Sequence, residues 1–173
     1  YGVSDAVISP GSRNALLMLS FSRHPDITCH VIADERSAGF TALGIAQSKK
    51  RPVALVCTSG TAGVNYGPSV IEAFYTNTPL IVFTADRPPE WIDQLDGQTI
   101  RQNGLFTKHI KYETGLPVST QEIELRIDFE EKLHTGLKSS MEFPRGPVHF
   151  NLPIREPFYT KTDWNQKKLA PLS

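Results

Sequence analysis

Four short stretches of this sequence carry residues able to do chemistry, and each follows an apolar, strand-like run. Asp34-Glu35-Arg36-Ser37-Ala38-Gly39-Phe40 follows Val31-Ile32-Ala33, and Ser9-Pro10-Gly11-Ser12-Arg13 closes the first such run. Thr58-Ser59-Gly60-Thr61-Ala62-Gly63 closes the third, and Ala85-Asp86-Arg87-Pro88-Pro89-Glu90 the fourth. At the carboxyl end of a strand, Glu35 offers a carboxylate at the mouth of a crevice with a small-residue helix behind it. Arg13 and Arg87 supply planar forks that fit a carboxylate or phosphate. Gly11 permits a tight turn, and Ser12 is expected to cap the helix after it, presenting backbone N–H groups. Around Gly60 the small side chains let a ligand approach the backbone, whose exposed N–H groups suit an anion or a heteroaromatic edge. Gln98, farther on, adds an amide.

One acid facing two arginines and several donors describes a site for an anionic ligand, with Glu35 at its centre. Each motif alone has a plain structural alternative. Residues 9–13 make a capped turn with a solvated arginine, residues 58–63 a tight turn for close helix–strand packing, and Gln98 a solvated loop residue. Asp34 reads as a helix cap, and Arg36 as a packing or interface residue. Residues 58–63 are not a phosphate-binding Walker loop, because no Gly-Lys-Ser/Thr follows. His24, His30, His109, His134 and His149 do not join the set, so neither a metal site nor a Ser-His-acid arrangement is expected.

The elements that must position these residues are legible from periodicity. Apolar runs at 6–9, 29–32, 53–58, 80–85, 110–115 and 148–151 read as strands, and their continuity suits burial on both faces. Helical patterns lie between them at 14–23, 37–48, 63–76 and 122–139, the last with Ile123, Ile127, Phe129, Leu133 and Leu137 near helical spacing. Strands alternating with helices predict an α/β fold, three layers deep, around a mainly parallel sheet of about six strands. Residues 86–106 break the pattern as a long Pro-, Asp-, Gln- and Gly-rich loop, of the kind that carries function.

With 173 residues and 18 basic against 18 acidic side chains, the chain fits one domain and has no charge bias toward nucleic acid or an anionic membrane. No apolar run reaches the roughly 20 residues of a membrane span, and no secretory signal is visible. Cys29 and Cys57, both within apolar runs, are expected to be buried free thiols in a cytoplasmic protein. The chain opens on Tyr1, so a fragment or trimmed chain is expected.

Taken in order, the four stretches, with Gln98-Thr99-Ile100 and Gly146-Pro147-Val148-His149-Phe150-Asn151-Leu152-Pro153, resemble a known family. It is the N-terminal, pyrimidine-binding domain of the 2-succinyl-5-enolpyruvyl-6-hydroxy-3-cyclohexene-1-carboxylate synthases, thiamine-diphosphate enzymes of menaquinone biosynthesis. The resemblance runs to about Tyr159. It implies a transferase that decarboxylates 2-oxoglutarate and adds the remaining four-carbon unit to isochorismate. It implies that Glu35 meets a nitrogen of the cofactor's aminopyrimidine and that Gly60, Thr61 and Asn65 line the ring. Ser12, Arg13, Arg87 and Gln98 then serve substrate. The family's Gly-Asp-Gly motif, which holds the diphosphate through Mg2+ or Mn2+, does not occur here.

The resemblance therefore implies a half-site: residues 1–155 as a pyrimidine-binding domain lacking its first part, 156–173 opening a linker to a middle domain. The other half would come from the diphosphate domain of a second subunit in a homodimer or tetramer. Two alternatives stay open, a separate pyrimidine subunit of another thiamine-dependent 2-oxoacid decarboxylase and a non-catalytic module for anions or nucleotides.

Overall fold

The six apolar runs pair side by side because residues carrying side chains of one kind on both faces can be buried only between two layers of helices. The computed structural model describes residues 1–156. Its strands are β1 (Asp5–Ile8), β2 (Thr28–Val31), β3 (Val53–Cys57), β4 (Leu80–Asp86), β5 (Tyr112–Gly115) and β6 (Val148–Pro153). Every pairing is parallel, in the order β2-β1-β3-β4-β6-β5. The helices are α1 (Ala15–Ser22), α2 (Glu35–Lys49), α3 (Gly67–Tyr75) and α4 (Ile123–Met141). The predicted linker, 156–173, lies outside the described residues except for Glu156.

Alternation along the strands sorts the core into two faces. Val7, Val53, Leu55, Cys57, Leu80 and Val82 pack under α2 and α3, with Phe106 of the long loop on the same side. The intervening Ala6, Ile8, Ala54 and Val56 meet Leu17, Met18 and Phe21 of α1. Ile81, Val148 and Phe150 meet Phe129, Leu133 and Leu137 of α4. The result is the expected three-layer α/β/α arrangement. Gly39 brings α2 and α3 together, since a Cβ there would lie 2.2 Å from the Ser69 Oγ.

Several expectations shift in detail. β2 and β5 are edge strands, and Thr28 and Val31 are exposed, so burial on both faces holds only for the inner strands. Ile123 and Ile127 face solvent at 67% and 48% exposure, leaving the lower half of α4 to do the packing. Cys57 is buried, whereas Cys29 is only half-buried. The segment predicted as one helix over 63–76 divides into a 3-10 stretch, Gly60–Tyr66, and α3, whose second residue is Pro68. Proline suits that position because the first helical N–H groups have no partner in the helix. The long loop contains one 3-10 turn at Pro89–Trp91 and buries Gln102 and Phe106. Among the described residues no helix is long and apolar enough to cross a membrane.

The far edge of the sheet is fixed by Asp5, whose side chain is 1% exposed. Lys49 at the end of α2 donates to both its oxygens at 2.8 Å, His30 Nε2 lies at 3.0 Å, and Ser4 donates at 2.8 Å. Burial alone would push this carboxyl up, but the bonds from Lys49, His30 and Ser4 outweigh it and hold the pKa at about 2. Because the folded value lies below the ordinary one, this stabilisation is complete above about pH 4 and disappears as pH falls through about 2. Asp5→Asn is expected to lower stability in urea titrations at pH 7 by about 2 kcal/mol. The difference between variant and parent should shrink as the titrations are repeated toward pH 2.

Candidate functional site

The strand order reverses beside β1. From β1 the chain crosses outward to β2, and from β3 it crosses the other way to β4. The turns leaving β1 and β3 therefore part toward opposite layers and leave a crevice at the carboxyl edge, the place where open α/β sheets bind ligands. Ile8 is in register with both Val31 and Val56, so the turns after β1, β2 and β3 start from one level.

Glu35 is the first residue of α2, not part of the turn before it. Asp34 is the cap, as expected: its Oδ1 accepts from the Ser37 N–H at 2.7 Å, and its carboxyl is held below the ordinary value by that contact. This cap fixes where α2 begins and hence where Glu35 stands. Glu35 is half-buried, and among the described residues its carboxylate has no hydrogen-bond partner. Its charge reaches the floor of the crevice. The Cys57 thiol is pushed up first by burial and then by Glu35, and the Tyr66 phenol first by burial and also by Cys57 and Glu35. Tyr66 ties that floor together, donating to the Val56 carbonyl at 2.9 Å and lying 3.2 Å from the Ser9 Oγ. Phe40, five residues on in the same helix, is 47% exposed.

The turn after β3 is held from two sides. Gly60 has φ +86°, and a Cβ there would lie 2.4 Å from the Gln98 carbonyl oxygen, so no side chain fits. Its N–H is not available to a ligand, contrary to expectation, because it donates to Gln102 Oε1 at 2.6 Å. Gly60 can therefore contribute close approach but no donor. Thr61 and Asn65 are exposed, and Asn65 donates its amide to the Thr61 carbonyl at 3.2 Å. Among the described residues Asn65 makes no hydrogen bond to a predicted site residue other than Thr61.

Arg13 and Arg87 are brought together and buried, at 7% and 8% exposure. Arg13 donates to the Ile154 carbonyl at 2.8 Å, lies over the Trp91 ring and is 4.0 Å from Glu156. Its guanidinium is held below its ordinary pKa by burial and next by the charge of Arg87. Arg87 bonds Asp96, donates to the Ser59 hydroxyl at 2.9 Å and to the Gly97 carbonyl at 2.8 Å. Those three contacts hold Arg87 in place, together with the prolines after it. Gln98, exposed and at φ +50°, reaches the Ser59 carbonyl at 3.5 Å. Ser12 is exposed and caps nothing. The α1 cap position is Asn14, whose amide donates to the Ser9 carbonyl at 2.8 Å and whose Oδ1 is buried without a hydrogen bond.

Sequence reasoning missed the polar layer beneath the long loop. Glu113, His149, Thr84, Asn151, Asp86 and Gln102 are linked in one buried network. The run His149-Phe150-Asn151 contained the signal: two polar residues at alternate positions of a buried strand require polar partners from a covering segment. Thr84, His149 and Glu113 superficially form a hydroxyl–imidazole–carboxylate set, at 2.7 and 2.6 Å. It is no nucleophile. Thr84 is fully buried, and its only hydrogen is donated to Asn151 Oδ1 at 2.9 Å.

A half-buried carboxylate with no hydrogen-bond partner among the described residues, above an apolar floor, fits a weakly basic ring nitrogen, and the closely packed Gly60 turn fits the flat edge of a ring. Residues 1–109 match the family described as thiamine pyrophosphate enzyme, N-terminal TPP binding domain. The chain is 48% identical over 161 residues to the 2-succinyl-5-enolpyruvyl-6-hydroxy-3-cyclohexene-1-carboxylate synthase of Cytophaga hutchinsonii, covering 93% of this chain and 29% of that protein. To the synthases of the same name from Flavobacterium psychrophilum and Porphyromonas gingivalis it is 49% and 48% identical, covering 94% and 98% of this chain. It spans 28% and 30% of those two, so under a third of each relative's length. The crystal structure of benzoylformate decarboxylase from Polynucleobacter necessarius shares the fold, with a TM-score of 0.73 at 23% identity over 87% of this chain and 27% of that one. The chain belongs to the thiamine pyrophosphate enzymes, of which it carries the N-terminal TPP-binding domain.

Proposed function

We propose that this chain is the pyrimidine half-site of a transferase that decarboxylates 2-oxoglutarate and adds the resulting succinyl-semialdehyde unit to isochorismate. The product is 2-succinyl-5-enolpyruvyl-6-hydroxy-3-cyclohexene-1-carboxylate, on the route to menaquinone. Residues 1–155 form the domain, and 156–173 lead toward a middle domain. The carrying observation is that Arg13 and Arg87 are both buried at the same sheet edge as Glu35. Both proposed substrates are dianions, which two arginines at one sheet edge suit, whereas a small monoanionic 2-oxoacid would need fewer such forks.

Thiamine diphosphate, when bound, supplies the electron sink for loss of CO2 from a 2-oxoacid. Its diphosphate, with Mg2+ or Mn2+, belongs to the diphosphate-binding domain of a second subunit, in a cytoplasmic homodimer or tetramer. What this chain supplies is placement and a proton. Glu35, fixed by the Asp34 cap, holds or releases a proton at its carboxyl oxygen toward a pyrimidine nitrogen. Gly60 and Thr61 form the wall along the ring, with Asn65 one turn on. Arg13 with Ser12 beside it, and Gln98 on the opposite loop, hold substrate carboxyl groups. Arg87, already oriented by Ser59, Asp96 and Gly97, contributes chiefly its charge. The Tyr66 and Cys57 side chains, kept neutral by burial, give Glu35 an uncharged floor.

In the full-length enzyme carrying this chain, Glu35→Gln is expected to fold normally and to lose 2-oxoglutarate decarboxylation by about 100-fold or more. CO2 release without isochorismate measures this directly, and full activity in the variant refutes the reading. Arg13→Ala is expected to raise the KM for isochorismate by about tenfold, while the Kd for thiamine diphosphate stays within about twofold. Equal losses in both constants would make Arg13 structural.

A further inference from the structure

The buried network beneath the long loop is absorbed by neither the cofactor contacts nor the substrate contacts proposed above, yet it ends on the turn that matters most. Gln102 is 2% exposed. Its Oε1 accepts from the Gly60 N–H at 2.6 Å, and its Nε2 donates to the Ala85 carbonyl at 3.0 Å and to Asn151 Oδ1 at 2.8 Å. The orientation of this amide is forced, because Gly60 N is only a donor and the Ala85 carbonyl only an acceptor. All of its strong hydrogen-bonding groups are engaged, on three separate elements.

The anchor behind Gln102 is equally determined. Asn151 Nδ2 donates to Asp86 Oδ2 at 2.7 Å, which leaves Oδ1 as the acceptor for both Gln102 and Thr84. Thr84 has given its hydrogen to Asn151, so His149 Nε2 at 2.7 Å must donate to the Thr84 oxygen. His149 Nδ1 lies 2.6 Å from Glu113 Oε1, which also accepts from the Gly104 N–H at 3.1 Å. Hydrogen bonds thus run without a gap from the edge strand β5 through β6 and β4 to the backbone of Gly60. On its other side Gly60 is closed by the Gln98 carbonyl, at the 2.4 Å that a Cβ would meet. A turn with φ +86° has little intrinsic preference for one position, and here segment 98–102 sets it.

We propose that Gln102 is a positioning residue for the cofactor's aminopyrimidine: by clamping the Gly60 N–H to β4 and β6, it fixes the ring-lining turn after β3 opposite Glu35. The proposal rests on the reading of residues 58–61 as the pyrimidine wall. It makes the substrate-side loop and the cofactor-side turn one unit, with Gln102 bonded to Gly60 and Gln98 on the same segment closing the space beside it.

The test uses Gln102→Met in the full-length enzyme, which keeps side-chain length and removes the clamp. Expected results are an approximately tenfold rise in amide hydrogen exchange across residues 58–66 in the cofactor-free enzyme, with exchange in α4 unchanged, and an approximately tenfold rise in the Kd for thiamine diphosphate. Should the methionine variant fail to fold, Gln102→Glu keeps the acceptor for Gly60 but loses both donated bonds, and the same two changes are expected at about threefold. Unchanged exchange over 58–66 in a folded variant overturns the clamp. Raised exchange with unchanged cofactor affinity overturns the positioning role, while the Glu35 reading still stands or falls on Glu35→Gln. If Glu35→Gln keeps full decarboxylation and Gln102→Met keeps full affinity, both readings fail.

Discussion

All six strands run in one direction, and this one constraint decides where the chemistry can be. Parallel strands send every strand-to-helix turn to the same edge, and the reversal of strand order at β1 and β3 opens a gap between two of those turns. Glu35, Arg13, Gly60 and Arg87 come from four separate stretches of sequence and reach one sheet edge only because of that topology. The sheet core is correspondingly uniform: Val7, Leu55, Val56 and Val82 are fully buried, and the apolar layers on either side make the edge rigid. A rigid edge matters because a proton-exchanging carboxyl works only within hydrogen-bond reach of its partner.

Around this edge, charge is arranged in two layers. Near the surface, Glu35 stands over an apolar and neutral floor of Cys57 and Tyr66. Deeper, Arg13 and Arg87 share a buried region with Asp86, whose carboxyl is pushed up by burial against the opposing pull of Asn151, the Arg87 N–H and both guanidiniums. Asp96 and Glu156 stand at the rim beside the two guanidiniums. A site of this kind sets two buried arginines, each with carboxylate neighbours, near the half-buried Glu35. That combination suits anionic substrates brought to a group that must trade a proton.

Much of this was legible in the sequence because the informative residues sit at strand ends. Asp34 and Ser37 announce a cap, Gly60 a turn without room for a side chain, and the runs around Val53 and Leu80 the inner strands. Local signals failed where the answer depends on a distant partner. Gln102 reads as one polar loop residue among many until β6 is known to lie beside β4, which brings Asn151 to it across 49 residues. The Gly60 N–H was expected to face ligand, and only the fold reveals that Gln102 has taken it. Ser12 was expected to cap α1 because it follows the tight turn at Gly11, yet the helix begins two residues later, after Asn14. Ile123 and Ile127 match a helical stripe, but α4 meets the sheet only from Phe129 onward.

The central claim is that Glu35 and the Gly60 turn form the two sides of a pyrimidine pocket. An experimental structure of the full-length enzyme with thiamine diphosphate bound measures it most directly. The account predicts a Glu35 carboxyl oxygen at about 2.6–3.2 Å from a nitrogen of the aminopyrimidine, with the ring edge against Gly60 and the Gly60 N–H still on Gln102. A pyrimidine ring bound away from the β1–β3 crevice, or one whose nitrogens all find partners other than Glu35, would contradict it.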